Sequence, residues 1–156
     1  MNARRRLRFD TFDDALAEVE RLCACEYERV GSRNLAQMCD HLADALEGSV
    51  RGFDFRMPWL MRTLMAPLAL RYVLKTRSIP IRAPMPKRRE PRPDVDLVTS
   101  VARLRAAIAT FENSPGPLAP HPYFGRISAD TWRSVHLVHI AHHLGFLNPR
   151  AATTCV

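Results

Sequence analysis

Three observations on the 156-residue chain predict an all-α fold. Apolar residues recur at helical spacing in successive segments, no stretch alternates apolar and polar residues as a half-buried strand does, and prolines mark the connections. With 47% hydrophobic residues the chain is long enough for one core and short for two, so residues 1–156 are expected to form a single domain. The arrangement expected is four helices around that core, with an additional helix in a long crossover.

Thr11, followed by Asp13 and Asp14, reads as an N-cap with acids in the first turn, and Phe12, Leu16, Val19 and Leu22 then recur at helical spacing toward Tyr27. In "VGSRN", Gly31 suits the C-terminal cap of that helix and Ser32 the N-cap of the next. The second helix carries the stripe Leu35, Met38, Leu42, Ala45 and Leu46, closed by Gly48 and Gly52. A third, from about Pro58 to Lys75, precedes "SIPIRAPMPKRREPRP", whose prolines lay down an extended crossover over 77–93. Val95, Val98, Val101, Leu104, Ile108 and Phe111 mark a helix from about Asp94 to Glu112, and "NSPGPLAPHPYFG" is a loop. Ser128 caps the last helix, which ends near Gly145, leaving 149–156 as a C-terminal tail.

The net charge of +7 is almost all arginine, since lysine occurs only at Lys75 and Lys87. The basic runs "RRRLR", in an N-terminal tail over 1–9, and "KRREPR" are not interleaved with aromatic residues, so no specific nucleic-acid binding is expected. The N-terminal arginines lead into an acidic helix rather than an unbroken apolar run, and no secretory signal is read. "PWLMRTLMAPLALRYVL" is interrupted by Arg62, Pro67 and Arg71 and is too short for a span; it reads as a core helix kinked near Pro67, with a surface-lying membrane helix as the alternative. Cys23, Cys25, Cys39 and Cys155 form no CxxC pair and read as reduced thiols in a cytoplasmic protein.

The chemistry concentrates in "HLVHIAHHLGFL". At about 100° per residue, Trp132 and Phe146 fall within about 20° of His139, with His143 about 40° and His136 about 60° away, so these rings point inward. His142 lies at the edge of the buried arc. His139 and His143, one turn apart, can converge on a single ion. A third ligand must come from elsewhere: His41, beside the apolar stripe of the second helix, is the obvious candidate, and His121 could approach from the loop. The bland alternative is a set of core histidines satisfied by backbone, carboxylate or water, in a non-enzymatic helical module whose basic tails meet an acidic partner or nucleic acid. Ile140 and Ala141 follow His139 where a zinc protease would carry glutamate, and Cys39 lies on nearly the opposite face from His41, so protease and cysteine-hydrolase readings fail.

"NLAQMCDHLADALE" at 34–47 and "HPYFGRISADTWRSVHLVHIAHHLGFL" at 121–147 resemble the DinB-like (YfiT-like) superfamily, in a branch with an H-P-x-F-G loop before the last helix. The resemblance implies a DinB-like four-helix bundle that holds a divalent metal ion, zinc or nickel, on His41, His139 and His143. It further implies a metal-dependent thiol transferase or a hydrolase acting on a small-molecule substrate, with a low-molecular-weight thiol as co-substrate. Leu144 stands where relatives carry an arginine. Three imidazoles leave an open coordination position, the pattern of a catalytic site. Asp40 and Asp44 could orient a ligand nitrogen, Tyr123, Phe124 and Trp132 could wall the pocket, and nothing in the sequence opposes a homodimer.

Overall fold

The computed structural model describes residues 3–79, 92 and 94–150. Helix α1 (Phe12–Ala24) starts at Thr11, whose hydroxyl accepts the Asp14 N–H while the Asp14 carboxylate accepts the Thr11 N–H. These reciprocal bonds satisfy two of the backbone donors left over at a helix start. Phe12, Ala15, Val19 and Leu22 are buried.

The helix stops at Cys25, short of the predicted end, because the chain extends into strand β1 (Tyr27–Arg29). β1 pairs antiparallel with β2 (Leu147–Pro149), placing Tyr27 opposite Pro149 and Arg29 opposite Leu147. No strand was expected, and three-residue strands are too short to show alternation in the sequence.

Helix α2 (Leu35–Arg51) is capped by Asn34, not Ser32. Both residue types cap well, but only Asn34 has a glutamine three residues on: its side chain accepts the Gln37 N–H and the Gln37 side chain accepts the Asn34 N–H. Gly31 therefore lies in the turn after β1 and caps no helix. Gly48, expected to close α2, sits inside it, and glycine is needed there because a Cβ would come within 2.5 Å of the Phe53 ring. Gly52, at φ +101°, ends the helix.

The predicted third helix breaks at Met65 into α3 (Trp59–Leu64) and α4 (Ala66–Thr76). Pro67 falls in the first turn of α4, where its missing N–H costs nothing. The expectation of a core helix is corrected here: only Ala66 and Val73 of this pair are buried, while Trp59, Leu60, Leu64 and Leu68 are exposed. The segment roofs a cavity rather than filling the core. The predicted crossover at 77–93 lies, apart from 77–79 and Arg92, outside the described residues, as does the tail beyond Arg150.

Helix α5 (Leu97–Glu112) is capped by Asp96, and α6 (Ala129–Leu144) by Ser128 as predicted. α2 packs chiefly against α5, and α6 touches α1, α2 and α4. Leu22, Leu42, Leu46, Leu104, Trp132 and Leu144 are fully buried where these helices meet. Burial of each side chain of this size contributes about 1.5 to 3 kcal/mol. Among the described residues the all-α class holds, with a small β ribbon added to it.

The arginine-rich N-terminus is not a loose tail from residue 3 onward. The Arg5 N–H donates to the Gly145 carbonyl, and its guanidinium donates to Leu147 O at 2.8 Å and to the Glu18 carboxylate at 2.7 Å. Phe9 enters the core. Cys23 and Cys39 are free thiols as read, but Cys25 is disulfide-bonded, which corrects its reading as reduced; Cys155 lies outside the described residues. Spacing within one segment says nothing of a partner far along the chain. No helix among the described residues is long and apolar enough to cross a membrane.

Candidate metal centre

The four-residue spacing of His139 and His143 sets both rings on one face of α6, with Nε2 atoms 3.0 Å apart. His41 follows Met38 and precedes Leu42 on α2, both buried, so packing of that apolar stripe carries its ring toward α6. The His41 ring centroid is 5.2 Å from that of His139 and 4.7 Å from that of His143. One nitrogen from each of the three lies within 4.8 Å of the others. Three nitrogens bound at about 2.0 to 2.1 Å around a tetrahedral ion stand about 3.3 Å apart, within reach of small rotations of these rings. The donor set fits a divalent ion: three imidazoles, no competing carboxylate in the cluster, and all three half-buried.

Burial first, and then the neighbouring imidazoles, hold the pKa values of His139 and His143 well below the ordinary 6.5. Desolvation disfavours the charged ring, and two cationic rings this close repel. Both are neutral near pH 7, the form in which imidazole binds metal.

The other histidines make contacts of their own, although the His142 ring lies beside that of His143, with centroids 5.2 Å apart. His121 Nδ1 accepts the N–H groups of Tyr123 and Phe124 at 3.1 Å each, and its ring stacks on Phe124. It orders the H-P-x-F-G loop, which closes through paired bonds between the His121 and Gly125 backbones with Gly125 at φ +74°, the left-handed region that suits glycine. His136 is buried between Trp132, on which it stacks, and the edge of Phe111; its Nε2 has no hydrogen-bond partner among the described residues. His142 is half-buried, as its place on the arc predicts, and its Nδ1 pairs with the Arg4 guanidinium at 2.9 Å.

Asp40 and Asp44 do something the sequence reading missed. Both carboxylates, with that of Glu47, converge on the Arg103 guanidinium of α5 at 2.5 to 3.0 Å. The network ties α2, and with it His41, to α5. No signal for this was readable, because Arg103 lies about 60 residues from its partners. Cys39 is inert: burial pushes its thiol pKa up to about 12.

A cavity of about 980 Å³ opens from the three histidines, walled by Tyr123, Phe124 and Trp132 as expected. Phe53, Phe55, Met57, Met61 and Met65 complete it. These were invisible in the sequence, because the segment between α2 and α3 has no periodicity to place its side chains.

Burial also lowers the pKa values of His121 and His136 to about 3 from the ordinary 6.5. Between those values the unfolded chain binds protons that the folded chain refuses, so stability is complete above pH 6.5 and falls as the pH drops. Each such histidine contributes about 1.4 kcal/mol per pH unit within the window. In urea melts of metal-free protein, His136→Leu should flatten the loss of stability from pH 6.5 to 4.5 by about that slope, and an unchanged slope refutes the assignment.

A family model described as protein of unknown function (DUF1569) matches residues 1–150. No curated protein and no solved structure matches the chain.

Proposed function

Because the chain belongs to the DUF1569 family, whose description leaves the activity open, the site must carry the reading, and we propose a metal-dependent enzyme acting on a small molecule. Its helices would form a DinB-like four-helix bundle of α1, α2, α5 and α6, with α3 and α4 in the crossover. His41, His139 and His143 would hold the ion, zinc or nickel, both of which accept imidazole ligands. The observation that carries the proposal is the convergence of three imidazoles from two helices in the lining of a largely apolar cavity.

When bound, a divalent ion there supplies Lewis acidity that favours the anionic form of a coordinating thiol or water. The chain supplies the rest. α6 fixes two donors at one helical turn, the Arg103 network fixes the helix that bears the third, and the aromatic wall keeps bulk water from the reacting groups. A thiol transferase is favoured over a hydrolase by the resemblance of the α2 and α6 segments. Leu144, at the place of the relatives' arginine, is fully buried in the core and offers no charge to a co-substrate. Specificity for an anionic thiol would therefore rest on other residues, of which Arg33 lines the cavity.

Elemental analysis of protein purified without a histidine tag tests the proposal. About one equivalent of zinc or nickel per chain is expected. Less than about a tenth of an equivalent, with none taken up on dialysis against either ion, refutes it.

A further inference from the structure

The cavity beside the histidines is at the upper end of the roughly 300 to 1,000 Å³ typical of small-molecule sites, at about 980 Å³, and its surface is overwhelmingly apolar. One side is aromatic: Phe53 stacks parallel to Trp132 with centroids 6.1 Å apart, and Phe55 meets Tyr123 edge-on at 5.9 Å. Met57, Met61 and Met65 line the cavity too, with Ala66, Ala69 and Val73 of α4. Among the described residues the charged side chains in the lining are Arg33 and Asp44, and Asp44 is already held by Arg103. A sugar, nucleotide or peptide filling this space would lose its hydration against a wall with few groups to replace it, at a cost of about 1 to 3 kcal/mol for each unmatched polar group.

We propose that this cavity binds the apolar body of a lipophilic substrate, an acyl chain or hydrophobic ring system, whose polar reacting group lies at the His41, His139 and His143 end. This rests on the metal reading for the position of the polar head only; the apolar body is argued from the wall alone. The unbranched, polarisable methionines fit bodies of differing shape, so the site selects for hydrophobic bulk rather than for one outline. The substrate class is thereby narrowed to molecules that partition out of water, and a hydrophilic thiol can occupy only the histidine end.

The test is calorimetric titration of the full chain, zinc-loaded and metal-free, with straight-chain alkyl hydroxamic acids from acetyl to octanoyl. Each added methylene buried against the wall should tighten binding about fourfold, the equivalent of about 0.8 kcal/mol, until the cavity is filled. That gradient is expected in both forms, with the zinc-loaded form binding every member more tightly. Affinity that does not change with chain length overturns the inference, whatever the effect of zinc. A gradient that persists without any zinc effect upholds the inference and removes the metal reading. Ala69→Trp, with its helical circular dichroism checked against the parent, places a large ring in the α4 side of the cavity and should abolish the gradient beyond the shortest chains. A full gradient in that folded variant overturns the placement, and the wild-type gradient stands as a test should the variant not fold.

Discussion

His139→Leu should leave the protein folded and remove its response to metal. Zinc added to the metal-free wild type at about 100 times its dissociation constant stabilises the native state by about 2.7 kcal/mol. For a domain of this size that raises the midpoint of thermal unfolding by about 5 to 11 °C. The leucine variant should show no rise, with zinc affinity lowered about 100-fold or more. Without metal, its midpoint should equal or exceed that of the wild type. His139 is held neutral by burial beside two further imidazoles, so an apolar side chain of similar volume replaces a group that folding must desolvate. A core histidine with no ligand role predicts the opposite pair of results: no zinc effect in either protein, or the same effect in both. His41→Leu and His143→Leu should behave alike, because any two imidazoles alone make a weak site.

Arg103→Met carries the second large effect, and it falls on stability. The guanidinium of Arg103 neutralises Asp40, which is only 5% exposed, together with Asp44 and Glu47 on the same face of α2. Its own pKa is driven upward by those carboxylates despite partial burial. Removing one partner of a buried ion pair costs about 3 to 5 kcal/mol, because the other charge is stranded. Here Arg92, 3.7 Å from Asp40, offsets part of the loss, and the outer carboxylates can turn to water, so about 2 to 3 kcal/mol is expected. That corresponds to a fall in midpoint of about 4 to 12 °C. Adding Asp40→Asn to the variant should restore at least half of the loss by discharging the buried carboxylate. Equal destabilisation in the single and double variants would show that the network contributes packing and not charge. Since α2 also bears His41, the single variant should bind zinc more weakly even where it remains folded.

The corrections to the sequence reading share a pattern. Asn34 takes the cap from Ser32 because Gln37 answers it, a rule local to the sequence. The break at Met65 lies within two residues of the predicted kink at Pro67. By contrast, nothing local announces that the apolar residues of α3 face a cavity and solvent, that Arg5 binds the end of α6, or that Cys25 has a disulfide partner. An apolar stripe is equally well explained by a core and by a hollow, and only the packing of other elements decides between them.

What the sequence by itself determined is what short-range geometry dictates: the α-helical class, the caps at Thr11 and Ser128, and the His139 and His143 pair, since backbone hydrogen bonding sets neighbours three and four residues apart on one face. Residues far apart in the chain were left to the tertiary structure. It alone decided that the His41 ring meets that pair, that Arg103 gathers three carboxylates of α2, that β1 finds β2, and that a large apolar hollow opens beside the histidines. The physical reason is that such contacts are selected by the burial of whole helix faces, a sum over many side chains that no spacing within a single segment encodes.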